Sequence, residues 1–248
     1  MAAEGAHGPM HQFLIQRFTA GPKFLGYDAS FTNSSLFMLI AVVLITLFFF
    51  VAMRGRSLVP TRMQSMAELV YEFVANMVRS NIGEAGMKYF PFVFTLFIFI
   101  LVLNLLGMLP YSFTVTSHII VTFALAATVF LVVTAIGFIK HGFGFLKLFV
   151  PHGVPIWLMP IIVPIELISY LIRPVSLSVR LFANMMAGHT MLKVFGSFVV
   201  GLGAVGGWAP LAFMVPFTGL EVVVAALQAF IFSVLTCIYL NDAINMHH

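Results

Sequence analysis

Long stretches of this chain carry no charged residue. Residues 29–53 are uncharged around an apolar core from Leu36 to Met53, and residues 89–139 are uncharged as well. A helix crosses a bilayer in about 20 residues. The first stretch therefore predicts one crossing, and the second, at 51 residues, predicts two. The break falls at Gly107, Pro110 and the polar segment Tyr111–His118, which reads as a turn between helices over 89–108 and 119–139. A fourth apolar region runs from Val154 to Val200 and a fifth from about Pro210 to Leu240. Between them lies Gly201–Gly207, rich in the residue that turns most tightly. The apolar runs are continuous. A membrane β-barrel would alternate apolar and polar positions.

The pattern predicts an all-α polytopic membrane protein with five membrane-crossing helices, a single integral domain over 1–248. Residues 1–30 form an N-terminal segment, and 154–241 a long helical hairpin. The fourth region is too long for its task. Some 40 residues at 1.5 Å each give roughly 60 Å of helix, twice the hydrocarbon thickness of about 30 Å. It must tilt, break or extend beyond the bilayer, and Pro160, Pro164 and Pro174 are candidate kinks.

Residues 62–82 follow a different rule. Met66, Leu69, Val70, Phe73, Met77 and Val78 recur at helical spacing, while Glu68, Glu72 and Arg79 fall on another face. Thr61 and Gln64, just after Pro60, have the spacing of a capping box. This predicts an amphipathic helix that does not cross, lying on the membrane surface or against a partner subunit.

Composition strengthens the membrane reading. Charged residues make up 8% of the 248, hydrophobic ones 61%, against about 25% charged in an ordinary soluble domain. A soluble enzyme, a disordered chain and a disulfide scaffold are excluded, and the lone Cys237 has no internal partner for a disulfide. The net charge of +4 does not indicate nucleic acid, because the basic residues lie between apolar runs and set topology. Arg54, Arg56, Arg62, Arg79 and Lys88 flank one side of the first two spans, Lys140 and Lys147 follow the third, and 109–118 has no Lys or Arg. The positive-inside rule then predicts an external N-terminus and an internal C-terminus. The first residues lack a basic stretch followed by an apolar one, so no cleavable signal peptide is expected.

A few charges lie inside apolar segments. Glu166, Arg173 and Arg180 are spaced by seven, near one helical face, and Asn184 continues it at i+4. His189 lies nine residues after Arg180, about 180° around the helix. Glu221 and Gln228 are again seven apart. Folding the two arms about residues 204–205 sets Arg180 level with Gln228 and His189 level with Glu221. An arginine at mid-bilayer costs about 2.5–3.5 kcal/mol on insertion scales and stays charged, whereas a carboxylate or imidazole can change protonation state. A fixed cation between titratable groups suits proton movement interrupted at the arginine.

Plainer roles stand beside this one. Arg173 and Glu166 are also readable as snorkelling interfacial residues, His189 and Glu221 as a structural pair, and Gln228 as helix glue. A haem site from His118, His141 and His152 is disfavoured, since the first is expected outside and the others inside. No metal-ligand cluster, phosphate loop or nucleophile triad appears, so no cofactor or metal is expected.

The run Pro174-Val-Ser-Leu-Ser-Val-Arg-Leu-Phe-Ala-Asn-Met-Met-Ala-Gly-His189 resembles the signature of subunit a of F-type ATP synthase. Leu220–Leu240, with Glu221 and LQAFIF around Gln228, is similar to its last helix, and Asn104–Ser117, NLLGMLPYSFTVTS, is also similar. The likeness runs from about residue 60 onward in family order. It implies a non-catalytic membrane subunit that packs against the rotating c-ring and the peripheral-stalk b subunits within the F1F0 complex. The hairpin over 154–241 would face the ring, steeply tilted. Two offset half-channels would serve the ring carboxylates. Arg180 would separate them, with Asn184 and Gln228 as polar neighbours. His189 and Glu221 would form the outer pair, Glu166 the inner acid, and Arg173 a supporting base. The setting would be an energy-transducing membrane such as a bacterial inner membrane. A secondary ion transporter, which usually shows repeated halves, and a structural membrane subunit are the alternatives.

Overall fold

The computed structural model describes residues 17–19, 23–24, 27–28, 31–54, 60–109, 112–149 and 156–245. The first sixteen residues, Pro110 and Tyr111 of the expected turn, and His152 lie outside them. Four short strands open the described chain: β1 (Arg17–Thr19), β2 (Lys23–Phe24), β3 (Tyr27–Asp28) and β4 (Phe31–Thr32). β1 pairs antiparallel with β4, and β2 with β3. Six α-helices follow among the described residues: α1 (Asn33–Met53), α2 (Arg62–Ile82), α3 (Phe90–Gly107), α4 (Ile119–His141), α5 (Met159–Gly206) and α6 (Trp208–Ile244). Five of them, all but α2, are long and apolar enough to cross a membrane. The chain is an all-α polytopic membrane protein with one amphipathic helix, as expected.

The helix ends follow local chemistry. Thr32 caps α1, its hydroxyl accepting from Ser35 N at 3.4 Å. Thr61 caps α2 by accepting from Gln64 N at 3.4 Å, the expected half of a capping box. The Gln64 amide instead donates forward to Glu68 Oε1 at 2.8 Å. Gly142, at φ 54°, terminates α4 in the left-handed conformation glycine tolerates. Pro160 occupies the first turn of α5, where an N–H would be unpaired anyway. Pro164 and Pro174 lie inside α5 while its backbone stays helical, and the non-helical residue is Gly203, at φ 64°. The expected turn in the glycine run is thus a single-residue break.

The chain divides into two compact units. The first comprises Met1–Gly55, Ile98–His118 and Phe182–Ala229. Its described core includes Ala41, Ile100, Leu103, Phe113, Val115, Met185 and Ala225. Here the arms of α5 and α6 lie side by side, with Phe195 6.3 Å from both Phe213 and Phe217, ring to ring. Little of α1 is buried within the chain, and Leu39, Val43, Leu47 and Phe50 lie on its surface.

The second unit comprises Arg56–Phe97, Ile119–Leu181 and Phe230–His248. Its core includes Val74, Val78, Val93, Val129, Phe145, Leu177 and Phe232. α2 meets the start of α3 through rings: Tyr71 lies 4.7 Å from Phe90, and Phe73 lies 5.8 Å from Phe97. The buried face of α2 differs from the expected one. Met77 and Val78 are buried, but Met66, Leu69 and Phe73 are exposed, and Gln64, Ala67, Val74 and Ala75 take the inner positions. Small side chains let helix backbones approach closely, and a membrane protein need not hide large apolar ones.

Candidate functional site

The buried polar groups of the first unit converge where the end of α3 meets α5 and α6. His189, on α5, is 7% exposed and Glu221, on α6, is 4% exposed. Their approach is close, 2.5 Å between Nδ1 and Oε1. On its other side the ring donates Nε2–H to the carbonyl of Gly107 at 2.8 Å. A carbonyl only accepts, so Nε2 carries a hydrogen. Nδ1 and Oε1 must then share one proton, either as carboxylic acid and neutral imidazole or as carboxylate and imidazolium. Glycine at 188 makes room for this: a Cβ there would lie 2.7 Å from Glu221 Oε1.

One turn along α6 from Glu221, the carbonyl of Ala225 accepts from Asn104 Nδ2 at 3.2 Å. A further turn on, Gln228 Oε1 accepts from Asn184 Nδ2 at 2.6 Å. Glu221, Ala225 and Gln228 are all buried, as is Asn104. Three atoms of this series keep hydrogen-bonding capacity unused among the described residues: Glu221 Oε2, Gln228 Nε2 and Asn104 Oδ1. Buried polar groups normally find partners, so a run of them along one helix face marks a polar path. Asn104 was not singled out by the charges, because an uncharged amide in an apolar run reads as helix glue.

The polar segment expected to turn does lie between α3 and α4, and its described hydroxyl residues are buried. Ser112, Thr114, Thr116 and Ser117 all lie inside. The hydroxyls of Ser112, Thr114 and Ser117 serve backbone carbonyls left open by the chain reversal, as Ser112 Oγ does to Leu109 O at 2.7 Å and Ser117 Oγ to Thr114 O at 2.6 Å. His118 stacks on Phe113, ring centroids 5.0 Å apart. Burial pushes its imidazole below the ordinary histidine range.

In the second unit, Arg173 donates to Asp242 Oδ2 at 3.1 Å. Its guanidinium also lies 4.9 Å from the Tyr239 ring centroid and 5.4 Å from that of Tyr170. The Tyr170 hydroxyl is 2.7 Å from Thr134 Oγ1. Lys140 and His141 reach the last helical carbonyl of α6, at Ile244, at 3.0 and 3.2 Å, and the lysine places a cation at a negative helix end. Asp242 escaped sequence reasoning because its position near the C-terminus resembles a topology charge. Glu166 and Arg180 are exposed on α5, and neither makes an ion pair or hydrogen bond among the described residues. Arg180 is exposed and His189 buried, as their spacing of nine residues predicts. Among the described residues no cluster of His, Cys, Asp or Glu could hold a metal ion.

The chain matches the family model described as ATP synthase A chain over residues 35–241. It is 59% identical over 243 residues to the ATP synthase subunit a of Pelagibacter ubique, covering 98% of this chain and 100% of the relative. It is 58% identical to that of Rhodospirillum rubrum, over 97% of this chain and 100% of the relative. It is likewise 58% identical to that of Mesorhizobium japonicum, with 97% of each covered.

Proposed function

Since the chain belongs to the ATP synthase subunit a family, we propose that it conducts protons through two offset half-channels separated by Arg180. It is an integral bacterial membrane protein that works in a complex with the other subunits of the synthase. The observation that carries the reading is the split on α5. Arg180, a permanent cation, faces outward without a bonded partner among the described residues, while His189 nine residues on is buried against Glu221.

In this reading a proton from the external side is taken up by the His189–Glu221 pair. It passes along the polar face that bears Asn104, Gln228 and Asn184 to a carboxylate of the c-ring. The exposed faces of α5 and α6, with Val175, Val179, Val222 and Val223 outward, would meet that ring. A returning carboxylate meets Arg180, whose charge favours its ionised form, so the proton leaves. Glu166 then receives it on the internal side, with Arg173 held nearby by Asp242. Arg180 keeps the two paths apart because a fixed positive charge repels a proton.

The energetics require a ring. One charge moved through 100 mV yields about 2.3 kcal/mol, so several protons must be gathered by rotation for each nucleotide. This subunit carries the path, and the peripheral-stalk b subunits hold it still. Arg180→Ala should abolish ATP-driven proton pumping by the complex in membrane vesicles. Normal pumping by that variant would overturn the reading and favour a structural membrane subunit.

A further inference from the structure

The carbonyl of Gly107 ends α3, where the helix supplies no donor of its own. Among the described residues three side chains reach it: His189 Nε2 at 2.8 Å, Ser112 Oγ at 3.0 Å and Thr114 Oγ1 at 3.2 Å. Ser112 lies closer to Leu109 O, at 2.7 Å. A carbonyl has two lone pairs and each hydroxyl one hydrogen. The consistent assignment gives Ser112 to Leu109 and leaves Gly107 O to His189 and Thr114. Thr114 is completely buried. A Cβ at residue 107 would come 2.8 Å from Thr114 Cγ2, so glycine here is what admits the threonine.

We propose that Thr114 is a positioning residue for the proton relay: it holds the Gly107 carbonyl against His189 Nε2, locking that nitrogen as the protonated one. The proposal rests on the reading of His189 and Glu221 as a relay. With Nε2 bound to an acceptor, the ring exchanges protons only at Nδ1, toward Glu221. The imidazole therefore stores a proton beside the path, and the path itself runs through the carboxyl group of Glu221.

The lock has a direction. When the pair gives up its shared proton, the lone pair of Nδ1 faces a carboxylate oxygen, which is repulsive. If the carbonyl slackens, the ring can move its remaining hydrogen to Nδ1 and donate to the carboxylate. The proton-poor state is then relieved, and the pair releases its proton at lower pH. Glu221 on α6 and Lys193, one turn further along α5, are the charged groups acting on His189. α3 contributes none, and the described loop 112–118 carries His118 as its titratable side chain. A change at Thr114 alters none of these.

The test uses the whole complex in liposomes, with proton conduction driven by a potassium diffusion potential and measured against external pH. Thr114→Val should move the alkaline limb of the profile down by about half a unit to one unit, from the loss of one hydrogen bond. Thr114→Ser, which keeps the hydroxyl, should retain the wild-type limb. An unshifted limb in Thr114→Val, or an equal loss at every pH in both variants, overturns the proposal. Should Thr114→Val fail to assemble, nitrogen NMR of His189 in the wild-type complex decides. A hydrogen fixed on Nε2 supports the lock, and a neutral ring protonated only on Nδ1 overturns it. Arg180→Ala is the parallel control: its normal pumping would remove the reading beneath the proposal, whereas an unshifted Thr114→Val beside an inactive Arg180→Ala removes the lock alone.

Discussion

Asn184 donates its amide to Gln228 across 2.6 Å, and in doing so leaves the buried amide nitrogen of Gln228 with no acceptor among the described residues. Each arm of the hairpin thus contributes one amide, and the pair fixes how the arms are rotated against each other there. Asn184→Leu would strand both polar ends of Gln228. Leaving a buried polar group unsatisfied costs about 1–3 kcal/mol. Lower thermal stability of the complex is expected, together with reduced proton pumping. Asn184→Leu combined with Gln228→Leu should recover stability but not pumping. Recovery of both in vesicles would reduce this pair to glue.

His189 Nδ1 and Glu221 Oε1 lie 2.5 Å apart, close enough to act as one relay. Exchanging them, His189→Glu with Glu221→His, should preserve more pumping than His189→Ala or Glu221→Ala. Pumping rates of the three variants in vesicles check this. Equal loss in all of them would argue against a shared relay.

Gly188 is tested by adding one carbon. Its Cβ would lie 2.7 Å from Glu221 Oε1, too close for the carboxyl to stay. Gly188→Ala should lower proton conduction about tenfold or more, since misplacement of a relay group by an ångström is costly. Assembly of the complex, followed by its yield after detergent extraction, should change little. Undiminished conduction would mean the carboxyl has room to move.

The buried ring of His118 predicts a pH effect outside the relay. Its folded-state affinity for a proton is lowered by burial, so the unfolded chain binds the proton more readily. Stability is then whole above the unfolded value, about 6.5, and declines as pH falls below it. Hydrogen exchange in residues 112–118 should quicken as pH falls below about 6.5, and His118→Phe should remove that dependence.

The first three crossings were readable because charge is costly in lipid, so charge-free runs mark them directly, and the last two from apolar length despite the few charges they carry. The hairpin was readable from Gly201–Gly207, and the His189–Glu221 pairing from matched distances to that turn. Distance from a turn does not set rotation about the helix axis, and the same reasoning set Gln228 level with Arg180 without revealing that Asn184 holds its oxygen. Ser112 and Thr114 were hidden for another reason. A run of hydroxyl residues between two spans has the composition of an exposed turn, and the open carbonyls they cover exist only once the chain has reversed. On α2, counting large apolar residues favoured Met66, Leu69 and Phe73, although Ala67 and Ala75 are buried there. In water the large residues would have won the inside. In a membrane they are free to face outward.

The break at Gly203 bears on how the protein is made. One left-handed residue, Gly203, breaks α5 shortly before α6 begins at Trp208, and almost no polar chain separates the two arms. A translocation machine that releases spans one at a time needs a loop to hold between releases. Here it finds none, so the two arms are expected to enter the bilayer together, bringing the buried amides and the His189–Glu221 pair into the lipid already matched.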